Sequence, residues 1–303
     1  MAKSGYWLVT LILFALPNYG NESKNITLTK RSKPLMVRHS AKMANDVVYV
    51  KQTRYFTELL HLALQKSEIP FTTKAIEIPA VIDSRFALML EGGMFDVIWL
   101  HTNKEREKNL IPIRIPLFKG LIGWRVLVIR RSSESIFKRI SSVNKLKKLI
   151  AGQGHDWPDT HILRANSFNI VTSVHPSNLY GMMQIKRLDY FPRSILEVQN
   201  ELILDRNKDL MIEPSLALRY PTAFYFFVTK DNSELAKVIE IGLEKAIKDG
   251  SFDKVFYRYF AEDIQRFTFN QRKVFKITTP EISFSHLPLE RKELWFNGKD
   301  TPF

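Results

Sequence analysis

A single arginine inside an apolar strand is the first feature of this sequence that could do chemistry. Arg125 lies in the β-rich run from Trp124 to Ile129, which follows the turn-prone Lys119-Gly120 and Gly123. A guanidinium there either snorkels to water from a strand edge or meets an anion, because leaving it dry and unpaired is costly. Its planar fork suits a carboxylate. Trp124 alternates to the other face of the strand and reads as core. The second feature is Gly152-Gln153-Gly154-His155-Asp156-Trp157-Pro158-Asp159-Thr160. A glycine-rich loop opening a helix is a ready anion site, and Pro158 suits a first helical turn. His155, Asp156, Asp159 and His161 also raise a zinc reading, which needs three or four convergent ligands. Capping of the helix is the simpler role for Asp159, and for the Asp156 and Asp159 pair as hydrolytic carboxylates.

Much is excluded. There is no nucleophile elbow, P-loop, complete dinucleotide loop or metal-spaced histidine pair, so neither an enzyme nor a cofactor is expected. The chain has 303 residues, 45% hydrophobic and 25% charged, which suits a globular protein of two lobes. A net charge of +14 permits nucleic-acid binding, but the basic residues are spread along the chain without a recognition motif. No nucleic-acid partner is expected. With no cysteine, disulfides and thiol chemistry are excluded. Lys3, the apolar run Tyr6 to Leu16 and the breaking Pro17 to Gly20 fit a signal peptide over residues 1–20, with an uncleaved anchor as the alternative. Export without cysteine or a further span suggests the bacterial periplasm.

The elements that position these residues alternate. Strands are predicted at 34–39, 71–78 and 95–100, with helices at 55–65 and 84–91 between them. Asp83 or Ser84 caps the second helix and Gly92-Gly93 stops it. The charged run 103–109 reads as a solvated helix or turn. After the arginine strand, strands at 149–151, 170–172 and 188–191 alternate with helices from 158 and at 179–186, and Pro192-Arg193-Ser194 closes the last strand. This β-α-β-α-β order, given twice, implies parallel sheets with helices on their faces. Residues 213–221 read as irregular. Phe224 to Thr229 reads as the strand partner of Trp124 to Ile129. Two helices follow, at 233–248 and from 252, and then an extension from 267 to 303.

The order and spacing of several short motifs over 34–260 resemble the bacterial extracellular solute-binding family 3, the type II periplasmic binding proteins of the amino-acid transporter class. They are Phe95-Asp96-Val97 after the Gly-Gly stop, Pro116-Leu117-Phe118 running into the arginine strand, Lys186 to Tyr190, Phe224 to Lys230, and Lys248 to Phe252. The resemblance implies an α/β fold of two lobes, each a sheet flanked by helices, with two crossing strands as hinge. Lobe 1 would comprise 21–118 and 222–266, lobe 2 would comprise 119–221, and the extension 267–303 would pack on lobe 1. The lobes would close on a small carboxylate-bearing solute, amino-acid-like or an acidic metabolite.

In that frame Arg125 is the residue for the solute carboxylate, Gly120 lies at the hinge, and Gly154, His155 and Asp156 form the lobe 2 anion loop. Arg193 and Ser194 stand where many relatives place an aspartate for the solute's ammonium. That departure leaves two options open: a solute that is no ordinary amino acid, or an amine partner elsewhere, with Glu197 and Glu213 as candidates. Arg125 and Arg193 together favour an acidic solute. Arg38, His39, Asp46 and Tyr55 are the lobe 1 candidates, with Phe56 as core, and Asp96 and Asp189 read as structural pairs or caps. The expected partners are the solute and either an ABC-type permease or a membrane sensor protein, with the chain itself a monomer.

Overall fold

The computed structural model describes residues 33–41, 50–78, 82–203, 207–280 and 287–296. The proposed signal peptide and the candidate Asp46 lie outside the described residues. Among those described, no helix is long and apolar enough to cross a membrane.

The first half follows the predicted alternation: β1 (Leu35–Ala41), α1 (Val50–Lys66), β2 (Phe71–Glu77), α2 (Arg85–Glu91), β3 (Ile98–His101), α3 (Lys104–Asn109) and β4 (Leu110–Ile113). Strands β1 and β2 pair in parallel, and a bridge between His39 and Val97 continues them toward β3. Helix α1 buries Tyr55, Phe56, Leu59, Leu60, Ala63 and Leu64, the face its spacing marks out.

The chain then crosses to the second half. That half holds β5 (Trp124–Arg130), α4 (Glu134–Phe137), α5 (Val143–Lys147), β6 (Ile150–Gly154), α6 (Pro158–Ala165), β7 (Asn169–Ser173), α7 (Asn178–Gln184), β8 (Tyr190–Ser194), α8 (Val198–Leu202), β9 (Leu210–Ile212) and β10 (Leu216–Arg219). The return runs through β11 (Phe224–Thr229), α9 (Ser233–Lys248) and α10 (Ser251–Phe267). Strand β12 (Lys273–Lys276) comes last. The second sheet has the order β12-β10-β5-β8-β6-β7, with β9 also on β5.

Four expectations change here. Strand β11 does not pair with β5; it lies antiparallel between β3 and β4, while β5 pairs with β8, β9 and β10. Each crossing strand inserts beside the third strand of the half it enters. Pro192 does not close β8, because it continues the strand opposite Leu127. The stretch read as irregular contains β10 and follows β9. The extension also does more than pack on lobe 1: β12 runs parallel to β10 on the edge of the second sheet, while Leu287 joins the first-half core with Leu90, Phe95 and Tyr225.

Candidate functional site

A cluster of buried polar residues lies where the two halves meet. Strand β5 has side chains buried on both faces, so Arg125 cannot snorkel; it is 2% exposed. Its Nη2 donates to Asp159 Oδ1 at 2.5 Å, and its Nη1 lies 3.8 Å from Glu197. Its Nε is buried without a partner. Asp159 is the second residue of α6, not the residue that precedes and caps it; Trp157 holds the cap position without a side-chain bond. The Asp159 side chain instead turns to the seam and accepts from the Tyr220 hydroxyl on the same oxygen. Its other oxygen lies 3.4 Å from His101 Nδ1, at the end of β3 in the first half. A carboxylate only accepts, so His101 Nδ1 meets it as an N–H donor, while its Nε2 shares a hydrogen bond with the Thr222 hydroxyl.

Charge and burial work against each other at this cluster. Burial alone would raise the Asp159 carboxyl, but Arg125, His101 and the Tyr220 hydroxyl hold it well below the usual carboxylate range. Burial pushes the Tyr220 phenol well up, keeping it a proton donor. Next to it Arg193, also 2% exposed, makes a two-bond fork to Glu201, with Nε to Oε2 at 2.7 Å, and reaches Glu197 at 3.0 Å. Its guanidinium packs 4.7 Å from the Trp157 ring. Glu201 also accepts from Tyr180. Burial would raise Glu201, but Arg193 brings it below its ordinary value, whereas burial prevails at Glu197 and raises it. Two arginines therefore face three carboxyls, and no cation is left in surplus.

The remaining sequence candidates have other duties. Tyr55 is buried, donates to the Leu117 carbonyl and stacks on Phe118, so it braces the first crossing. His39 is buried within β1 against its neighbour's carbonyl and the His61 ring. Arg38 pairs with Asp96. Gly120 has φ +72° and lies under the Trp295 ring, which an added Cβ would strike. Gly154 is required by the Trp157 ring, which a Cβ there would also meet. His155 is exposed and bonds Thr172, and His161 is exposed. Asp156 accepts from the Ser84 backbone N–H at 2.7 Å, joining the halves. Ser194 is buried and accepts from Leu196 N–H. Glu213 caps its own turn through Ser215 and Leu216, which removes it as an amine partner. Among the described residues no group of three His, Asp or Glu could hold a metal.

Some of the polar residues at the seam were not legible beforehand. The run 103–109 is not simply solvated, because Arg106 and Glu107 are buried. Arg106 donates to the His101 carbonyl and to Asp83, close to the seam on the first-half side. The spacing of Arg193, Glu197 and Glu201, each four apart, was a signal of a charge ladder. His101 at the end of an apolar strand was another. A groove of about 690 Å³ lies elsewhere, at the opposite end of β3, lined by Arg38, Gly93, Asp96, Lys108, Thr229 and Asn232.

No family model and no curated protein matches this sequence. Solved structures do. An ancestral arginine-binding protein bound to arginine shares 18% identity, covers 74% of this chain and 98% of its own, and superposes with a TM-score of 0.53. The chain has the type II periplasmic-binding-protein fold. A GluR0 ligand-binding core from Nostoc punctiforme in complex with L-glutamate gives 14% identity, 74% and 99% coverage, and 0.53. A histidine kinase sensor domain described as similar to periplasmic binding proteins gives 13%, 76%, 97% and 0.55. Identities this low establish the two-lobed fold of this chain and nothing finer. Each of the three leaves about a quarter of this chain uncovered.

Proposed function

We propose that this chain is a periplasmic solute-binding protein, not an enzyme, whose two lobes close on an amino-acid-like solute for delivery to a transporter. The observation that carries the reading is the buried polar cluster at the seam, built from His101 and Thr222 on one side and Arg125, Asp159, Arg193 and Glu197 on the other. Buried charge at a lobe junction is costly unless it serves a partner or a mate. The arginine and glutamate bound by two of the structural neighbours agree in class.

The charge balance sharpens the solute. With two arginines against three carboxyls, the seam offers no net attraction to an acidic metabolite, so that part of the expectation loses its support. A zwitterionic or cationic amino acid suits it better, with Glu197, the least enclosed of the acids, meeting the ammonium. The experiment is thermal unfolding against a panel of basic, neutral and acidic amino acids and simple dicarboxylates. A solute at 100 times its Kd stabilises by about 2.7 kcal/mol. Stabilisation by basic or neutral amino acids, lost in Glu197→Gln, is the expected result. A response confined to dicarboxylates, or none at all, overturns it.

A second reading, a sensing module without transport, is favoured by one observation. The segment 287–296 is fastened to the first crossing: Phe296 N–H donates to the Lys119 carbonyl at 2.8 Å, and Lys119 Nζ reaches Glu293 and Asp253. A strap on the hinge is a means of passing lobe movement to another protein. A permease and ATPase encoded beside this chain would favour delivery, and a histidine kinase there would favour sensing.

A further inference from the structure

We propose that Asp159 acts as a built-in carboxylate ligand: it occupies the anion position of the Arg125 fork and holds the cleft closed with no solute present. The inference rests on the two-lobed solute-binding reading and adds to it what fills the anion position.

Three features of the geometry separate this from an ordinary internal ion pair. First, Asp159 is bound from three directions: Arg125 on β5, Tyr220 at the start of the return crossing, and His101 at the end of β3 in the opposite lobe. A pair that only stabilised the second half would not reach His101. Second, the arginine fork is incompletely used. Asp159 takes one nitrogen, Glu197 stands at 3.8 Å from another, and Nε is buried without a partner. A guanidinium that suits a two-bond carboxylate is met by a one-bond substitute. Third, the lobes are already in contact through the chain's own groups. Ser84 N–H meets Asp156 at 2.7 Å, and Gln52 Nε2 meets the Leu196 carbonyl at 2.9 Å. A solute-dependent clamp closes because the solute supplies joining contacts; here the chain's own groups supply contacts of that kind, and the reach of Asp159 to His101 is the one made at the arginine fork.

The consequence concerns selection as well as closure. A solute carboxylate gains Arg125 only by expelling Asp159, so simple monocarboxylates bind the natural chain weakly. Removing the Asp159 side chain leaves a gap of carboxylate shape lined by Arg125, Tyr220 and His101, which a small anion can fill.

Small-angle X-ray scattering on the full chain, with and without sodium acetate or formate and at matched sodium chloride, tests this. Ligand-free wild type should scatter as the closed form and ignore acetate. Asp159→Ala should scatter as a more extended particle and melt roughly 10 °C lower. Acetate or formate should restore its compactness and most of its melting temperature, while chloride should not. Asp159→Asn should open without being restored, because its amide fills the gap. If Asp159→Ala does not fold, as read by circular dichroism, an open Asp159→Asn sustains the proposal and a closed one overturns it. A compact Asp159→Ala, a failure of both anions to restore it, or an equal acetate response in Asp159→Asn also overturns it. None of these readouts uses a solute from the amino-acid panel, so failure of that panel and failure of this proposal are told apart.

Discussion

The two halves of the molecule are built on one plan and filled differently. In the first, β1, β2 and β3 are the first, second and third strands of a β-α-β-α-β unit, and the crossing strand β11 lies antiparallel beside β3. In the second, β6, β7 and β8 repeat this, and β5 lies antiparallel beside β8. Even the aspartates before the third strands match: Asp96 accepts from the Arg38 backbone N–H at 2.7 Å, and Asp189 from the Ile150 backbone N–H at 2.8 Å. The difference is at the seam. The first half meets it largely with rings: Tyr55, Phe56, Phe118 and Phe224 pack around the crossings. The second meets it with Arg125, Asp159, Arg193, Glu197 and Glu201. A shared backbone plan fixes where the seam lies, and the side chains of one half decide what can be held there.

If the polar half is the more dependent on charge matching, Arg125→Leu gives the largest loss. It leaves Asp159 buried and unmatched, for about 3–5 kcal/mol in urea unfolding. A loss below 1 kcal/mol would mean that the cluster is not dry. In the ring-packed half the critical feature is a close helix contact: a Cβ at Gly242 of α9 would run into the Ala63 backbone of α1. Gly242→Ala should cost about 1–3 kcal/mol, read the same way, through forced separation of the helices. Arg106 is the nearest first-half counterpart of Arg125, but its mate Asp83 is 24% exposed and water can replace it in part. Arg106→Ala should therefore cost less than Arg125→Leu, about 1–2 kcal/mol. The reverse order would break the comparison.

Acid titration separates two carboxyls within the polar half. The Asp159 carboxyl is depressed in the folded chain, so its contribution is complete above the ordinary aspartate value of about 3.9 and is lost as pH falls toward the depressed value. Glu197 is shifted the other way by burial, so its contribution is complete below its unfolded value and is lost as pH rises through the raised folded one. Glu197→Gln should then be relatively more stable at neutral pH than at pH 4, and Asp159→Asn should flatten the acid limb of the stability curve. Urea midpoints from pH 3 to 7 check both signs. The smallest effect is expected at the matched aspartates: Asp96→Asn and Asp189→Asn should each cost about 1 kcal/mol and differ little from one another. A large difference would show that the repeated plan is not equally supported.

The sequence alone determined the alternating elements, the two-lobed resemblance, and an arginine inside an apolar strand that must reach either water or an anion, because hydrophobic period and turn chemistry are local. Strand β5 and the Pro158 start of α6 lie where their spacing places them, while helix α1 begins at Val50, ahead of the expected start at Tyr55. Only the tertiary structure decided which strand lies beside which, that β12 joins the second sheet, and that Arg125 is matched by Asp159. Strand neighbours and ion-pair mates depend on contacts between residues tens of positions apart, as with Arg125 and Asp159 or His101 and Thr222. An aspartate at a helix start reads equally as a cap or as a charge aimed inward, and the packing around it settles which.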